Sequence, residues 1–405
     1  MISAESRGWL IVAGLSTVSG VILGTTMCGI GIFLIPVAKA FGCTYGQASR
    51  AATAFLVAMT VTMPIVGWLL DRLQERIVMM AGVAVTVLGY YFAAESSTIQ
   101  SFTMALALSG AGVAASTYVS GTIVISRWID KHRGLAMGIF NGTAAIASGL
   151  FPWLINHTIA LIDWRDTMRW ISGLILLMSV PILLLIVVPR PIDGASASPA
   201  PARIVETRET FRMPSYWLLL LVPALAQLSF TGIYFFLVPY LTSSGLTPDR
   251  ATLVYSAANM ASFPGAILFG LLADRFGAKW PFALSLLTTA IGGALLLAIP
   301  GHAGSGFSAT IGFIVLWGAT SALALQMAAL MLVELTGLQH FGVLMGINSF
   351  AAYLAASAGP LVTGLMYDAS NSYQSAFVMW TVLAAAALLP LLLIRPNGLA
   401  HGFRR

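Results

Sequence analysis

Two short turns hold the acid and base pairs that this chain repeats. Gly67-Trp-Leu-Leu-Asp71-Arg72 closes one long apolar run, and Gly270-Leu-Leu-Ala-Asp274-Arg275 closes another 203 residues later, half the chain away. A charged turn repeated at half-length between hydrophobic spans is the mark of a duplicated membrane bundle. A second kind of chemistry is carried by polar and aromatic side chains that share helix faces inside apolar runs, where they can hold a solute by hydrogen bonds and ring contacts. Gln227, Thr231 and Tyr234 fall at i, i+4, i+7, and Tyr255, Asn259 and Ser262 do the same. Ser349 and Tyr353 share a face beside Asn348, Gln326 stands beside Met327, and Thr25, Thr26, Tyr118 and Asn141 are the first-half counterparts. The plainer reading of each is an interhelical hydrogen bond, worth about 0.6 kcal/mol on average. Met327 and Met331 read as packing.

The spans that must position these residues are plain. Hydrophobic residues make up 58% of the 405 positions and charged ones 8%, against about 25% charged in a soluble domain. Runs long enough to cross roughly 30 Å of hydrocarbon fall at about 9–36, 46–70, 77–94, 101–126, 134–160 and 167–188, then at about 215–242, 250–273, 280–299, 307–333, 342–367 and 374–394. The expected fold is therefore an all-α membrane protein of twelve transmembrane helices in two six-helix pseudo-symmetric bundles. Their bounds are 1–189 and 214–405, joined by a cytoplasmic linker at 190–213 rich in Pro, Ala and Ser. A second marker supports the repeat: Gly134-Leu-Ala-Met137-Gly138-Ile139 matches Gly342-Val-Leu-Met345-Gly346-Ile347, 208 residues on, with Pro152 and Pro360 equally placed. Glycine rows at Gly20/Gly24, Gly134/Gly138/Gly142 and Gly342/Gly346 allow close helix approach.

Lys and Arg placement sets the orientation. With both ends inside, the inner loops carry fifteen basic residues, among them Arg72, Arg76, Arg127, Arg133, Arg190, Arg203, Arg275, Arg395 and Arg404, against five outside (Lys39, Arg50, Arg165, Arg169 and Arg250). The expected location is the inner (cytoplasmic) membrane of the cell, multi-pass, with N- and C-termini in the cytoplasm. The charge of +6 is spread singly over span ends, which argues against a nucleic-acid partner.

The two Asp-Arg turns resemble the loop between the second and third helices of each half in major facilitator superfamily transporters. The first copy departs at Gln74-Glu75, and the second has Gly277 followed by Ala278. Ser126-Arg127-Trp128 through Arg133-Gly134, Gly31 to Pro36 ahead of Phe41-Gly42, Asp163-Trp164-Arg165, and Gly359-Pro360 through Tyr367-Asp368 resemble the bacterial group related to monocarboxylate and oxalate/formate carriers. The resemblance implies the major facilitator fold, a rocker-switch transporter, and a substrate site near the midplane between the halves. It also implies that Asp71 and Asp274 lie near the starts of spans 11 and 5. A carboxylate facing a helix N-terminus there is worth about 0.3–1 kcal/mol when exposed and more when partly buried. Gly67, Asp71, Arg72, Arg127, Arg133, Gly270, Asp274 and Arg275 are accordingly the expected gating set; as ordinary loop charges they would set topology alone.

No Asp, Glu, Lys or Arg lies near the middle of any span, and Glu334 and Arg127 come closest. Carriers of that group generally hold embedded cations, whereas span 8 here reads Phe263-Pro264-Gly265-Ala266 and the expected acidic-Gly-Trp signature reads Arg7-Gly8-Trp9. This weighs against a dianion. The leading expectation is a secondary transporter of a small organic solute, with a monocarboxylate as one option. The alternatives are a carrier or exporter of a larger neutral or amphiphilic compound, such as a drug or siderophore, and a transport-dead sensor. Five histidines, two cysteines and no paired carboxylates inside spans leave no acid–base constellation, so no enzyme is expected. No Walker loop, zinc spacing or cofactor motif is present, and coupling stays open between proton symport through an interfacial acid (Asp71, Asp274, Glu334 or Asp368) and facilitated diffusion or exchange. The partners expected are substrate and lipid bilayer, with the chain a monomer.

Overall fold

A computed structural model describes residues 4–187, 207–299, 306–338 and 340–394. Most of the expected linker, including Arg190 and Arg203, lies outside the described residues, as do Arg395, Arg404 and Arg405. Every described element is a helix or turn. In the first half these are α1 (Ala4–Thr25), α2 (Ile30–Phe41), α3 (Tyr45–Leu70), α4 (Glu75–Glu95), α5 (Ile99–Ser116), α6 (Tyr118–Trp128), α7 (Arg133–Ile162) and α8 (Trp164–Leu185). The short α9 (Thr207–Arg212) leads into α10 (Pro214–Tyr234), α11 (Leu237–Ser243), α12 (Pro248–Phe276) and α13 (Lys279–Ala298). Then come α14 (Gly306–Phe313), a π-helical turn (Ile314–Gly318), α15 (Ala324–Thr336), α16 (Phe341–Ser370), α17 (Gln374–Ala386) and α18 (Leu388–Leu393).

Among the described residues, eleven segments are long and apolar enough to cross a membrane, and 307–333 divides into two shorter apolar helices. Several expected single spans are thus broken, each for a local reason. Between α1 and α2, the Thr25 and Thr26 hydroxyls donate to the carbonyls of Val21 and Ile22 (2.7 and 2.6 Å), and the Cys28 N–H reaches back five residues to Leu23. Such back-bonding loosens a helix. Between α5 and α6, Thr117 leaves helical geometry (φ −121°, ψ −111°) while its hydroxyl donates to Val113 O at 2.7 Å. The tenth span widens into the π turn and then breaks over 321–323, just past Thr320. Thr320 accepts or exchanges bonds with Thr288 and Thr289 there, so the break carries its own polar partners.

Contacts gather the described residues into two compact units. One contains Met1–Asp130, Thr143–Ile192 and Gly342–Phe350; the other contains Lys131–Gly142, Asp193–Phe341 and Ala351–Arg405. Neither follows the sequence halves alone, because each includes a short helix start from the opposite half. In the first, Ile11, Leu15, Phe55, Tyr90 and Phe102 are fully buried. In the second, Leu237, Phe313, Trp317, Phe377 and Trp380 form the centre of an apolar cluster. Trp380 also bonds outward: its indole N–H donates to Thr363 Oγ1 (2.8 Å), Thr363 donates to Gly232 O (3.0 Å), and Ser229 donates to Trp380 O (2.7 Å). This chain ties α10, α16 and α17 together.

Candidate functional site

The two charged turns make the same contact twice. α16 begins after His340, whose backbone is left-handed (φ 56°) and whose side chain caps nothing. The first helical N–H groups, which no carbonyl of their own helix can meet, are taken by a carboxylate at the end of α3. Asp71 Oδ1 accepts from Gly342 N–H at 3.0 Å and Oδ2 from Val343 N–H at 2.9 Å. In the other unit, α7 begins after His132, also left-handed (φ 65°). There Asp274 Oδ1 accepts from Gly134 N–H at 2.6 Å and Oδ2 from Leu135 N–H at 2.9 Å. Each contact lies wholly inside one compact unit and joins one sequence half to the other.

Glycine makes this approach possible. A methyl group added at Gly67 would collide with the Gly342 carbonyl, and one at Gly134 with the Gly270 carbonyl. The same rows continue inward: Gly346 lies against Met63 and Pro64, and Gly138 against Ala266.

Charges around the turns differ between the copies. Arg127, in the last turn of α6, donates to Leu70 O (3.3 and 3.2 Å) and to Asp71 Oδ1 (3.4 Å), and it pairs with Glu75. The Asp71 side chain is only 10% exposed, so this cation acts with little water between. In the second copy the matching helix end carries an acid: Glu334 Oε1 accepts from Ala278 N–H at 2.8 Å, and Arg133 is an opposite charge acting on it. Lys279 turns away, donating to Leu392 O and Ile394 O (3.1 and 2.6 Å). Arg72 and Arg275 lie over the Trp68 and Phe276 rings, at 4.1 and 5.3 Å from their centroids, and bond neither carboxylate.

The residues expected to hold solute are divided between the units. Thr25, Thr26, Tyr118 and Asn348 belong to the first; Asn141, Gln227, Thr231, Tyr234, Tyr255, Asn259, Gln326 and Tyr353 belong to the second. Many spend their donors locally. Thr25 and Thr26 bond their own helix, Asn141 donates to Met137 O (2.9 Å), and Asn259 donates to Tyr255 O (3.0 Å). Thr231 joins α10 to α16 through Ala356 O (2.6 Å), and Gln326 joins α15 to α12 through Ala266 O (3.0 Å). In the second unit an aromatic row does assemble: Tyr234 meets Tyr255 at 5.2 Å and Phe230 at 4.9 Å, and Phe230 stacks on Trp317 at 5.6 Å. The Gln227 and Gln326 amide oxygens and the Trp317 indole N–H are buried without a protein partner. Tyr118 and Tyr353 are half-buried, and Asn348 is fully buried.

Phe230 and Trp317 are absent from the expected set, as are His132 and His340. Two histidines at matching offsets before the duplicated glycine motifs were the available signal.

A family model described as Major Facilitator Superfamily matches residues 15–261 and 219–404. The chain belongs to this superfamily. It is therefore a multi-pass membrane protein of the transporter fold. Monocarboxylate transporter 13 of Bos taurus is 24% identical over 92% of this chain and 85% of its own length. The fujikurins efflux protein of Gibberella fujikuroi is 28% identical over 77% of this chain and 66% of its own. The solved structure of the major facilitator proton:xylose symporter XylE superposes with a TM-score of 0.80 at 14% identity, covering 97% of both chains. At that identity the likeness concerns the fold.

Proposed function

We propose that the chain is a secondary transporter that moves a small organic solute by alternating access, with Asp71 and Asp274 as paired latches. The observation that supports this most directly is the reciprocal capping of α16 by Asp71 and of α7 by Asp274. Two hydrogen bonds to an ionised carboxylate are each worth about 1.5–3 kcal/mol. They hold firmly yet lie within the range that substrate binding can offset. The Lys/Arg bias supports placing both turns on the cytoplasmic side of the inner membrane. In the conformation described the latches are made, so opening toward that side requires both carboxylates to leave their helix ends.

A monocarboxylate is the first substrate reading, carried by the mammalian relative. A neutral or amphiphilic solute is the second, favoured by the charge-free span centres and the aromatic row, and by the fungal efflux relative. Proton coupling, as in the proton:xylose symporter, would fall here to an acid at a span end such as Glu334.

Uptake by purified protein in liposomes tests the reading. Labelled monocarboxylates are offered with and without an inward pH gradient, beside a dye-efflux assay for amphiphiles. Acid-stimulated monocarboxylate uptake supports the first reading; dye efflux with a flat carboxylate response supports the second. Asp71→Asn should cut maximal rate five- to thirtyfold, the equivalent of about 1–2 kcal/mol, with substrate affinity within twofold. Equal loss of affinity and rate would sink the latch.

A further inference from the structure

The turn after α3 has a second face that the latch leaves unused. Asp71 and Glu75 are both paired with Arg127. Among the described residues no ion pair reaches Arg72 or Arg76, which leaves two uncompensated cations five positions or fewer from the carboxylate latch. Arg72 lies over the exposed Trp68 ring, 4.1 Å from its centroid. From Arg76 onward the outward face of α4 turns small and apolar. Ala81 and Ala84 are exposed there beside Ile77 and Met80. The missing side-chain bulk opens a groove of about 560 Å³, lined by Gln74, Arg76, Ile77, Met80, Ala81 and Ala84. From Ile77 to Ala84 the helix advances about 10 Å, about two-thirds of the roughly 15 Å of hydrocarbon in one leaflet.

We propose that this groove seats an anionic phospholipid. Its phosphate lies against the Arg76 guanidinium, with Arg72 four positions earlier adding positive charge to the same turn, and one acyl chain runs down Ile77, Met80, Ala81 and Ala84. Three features select this occupant. The groove opens on an apolar, outward helix face of a multi-pass membrane protein, where lipid is the surrounding solvent. Its polar end carries positive charge alone, since the neighbouring acids are satisfied by Arg127. Its apolar stretch from Ile77 to Ala84 runs along most of a leaflet's depth, a surface that a free phosphate would leave unused. Arg72 adjoins Asp71 in sequence, so a lipid that orders this turn favours the latched form. The lipid is thus a positive regulator bound outside any solute pathway.

Native mass spectrometry of the full chain, delivered in mixed micelles with equal phosphatidylglycerol and phosphatidylcholine, tests this directly. Phosphatidylglycerol should be retained about tenfold over phosphatidylcholine. Arg76→Gln should weaken retention about fivefold, as for loss of one membrane-facing cation, and the Arg72→Gln/Arg76→Gln pair more. Ala84→Phe keeps both arginines but fills the groove, and should also release the lipid. Circular dichroism confirms that each variant is folded. Equal retention of the two lipids, undiminished phosphatidylglycerol on both the double variant and Ala84→Phe, or its displacement by equimolar inorganic phosphate would each overturn the proposal. The readout is retention of lipid, so a failure of the transport reading would leave it untouched, and the reverse holds too.

Discussion

A helix starts with backbone N–H groups that it cannot satisfy itself, and serine, threonine or an Asx residue usually meets them. Before α7 and α16 stand His132 and His340, both left-handed and neither capping its own helix. The caps arrive instead from Asp274 and Asp71, residues more than a hundred positions away. Arg127 then distinguishes the two copies, because it bonds Leu70 O, Asp71 and Glu75 at once. Removing it leaves two acids close together with no cation between them. Arg127→Gln and Glu75→Gln should each slow liposome uptake severalfold, and the double variant should lose little more than the worse single one, as expected of partners in one network. Fully additive losses would show that Arg127 and Glu75 act separately. The acidic turns were legible in the sequence because charge is rare here and Asp-Arg recurs at half-length. The solute-binding set was legible only as polarity. Thr25 and Thr26 look like binding groups inside an apolar run, but a helical threonine can satisfy its hydroxyl four residues back, and both do.

At the scale of elements, hydropathy located the crossing segments but was blind to their interruptions. A window average does not register that Thr117 leaves helical geometry or that Ile314–Gly318 widens to a π turn. Such wide turns recur at functional positions, and this one carries Trp317 into the row with Phe230 and Tyr234. The adjoining bundle is fixed by the Trp380 hydrogen-bond chain through Thr363 to Gly232, with the ring packed where a Gly232 methyl would stand. Trp380→Phe keeps an aromatic ring but loses the indole N–H and part of the ring system. Thr363 Oγ1 loses a donor in an apolar setting, so stability should drop by about 1–3 kcal/mol. Thermal unfolding of the detergent-purified variant would read this as a lowered midpoint, and an unchanged midpoint would mean the chain does not hold α10, α16 and α17.

Over the whole molecule, each compact unit takes in a helix start from the opposite sequence half: Gly342–Phe350 in one, Lys131–Gly142 in the other. The repeat offsets of 203 and 208 pointed to two copies of one six-span plan, while the exchange of helix starts depends on packing that no local pattern records. Such an exchange should survive cutting the connection. Residues 1–189 and 214–405, produced as two separate polypeptides in one cell, should copurify. Asp71→Asn together with Asp274→Asn should reduce the yield of the pair more than either change alone, and copurification indifferent to both would argue that these ends contribute nothing to assembly.

The reciprocal capping has a further meaning. Residue i of one repeat serves residue j of the other, and the reverse, which is the self-complementary pattern of a symmetric dimer. A single ancestral copy carrying one aspartate and one glycine-flanked helix start would already have owned the whole fastening, ready to be used twice as soon as it met its twin. The two fastenings are nonetheless unlike in detail, since one helix end carries the cation Arg127 and its counterpart in the other repeat carries the acid Glu334.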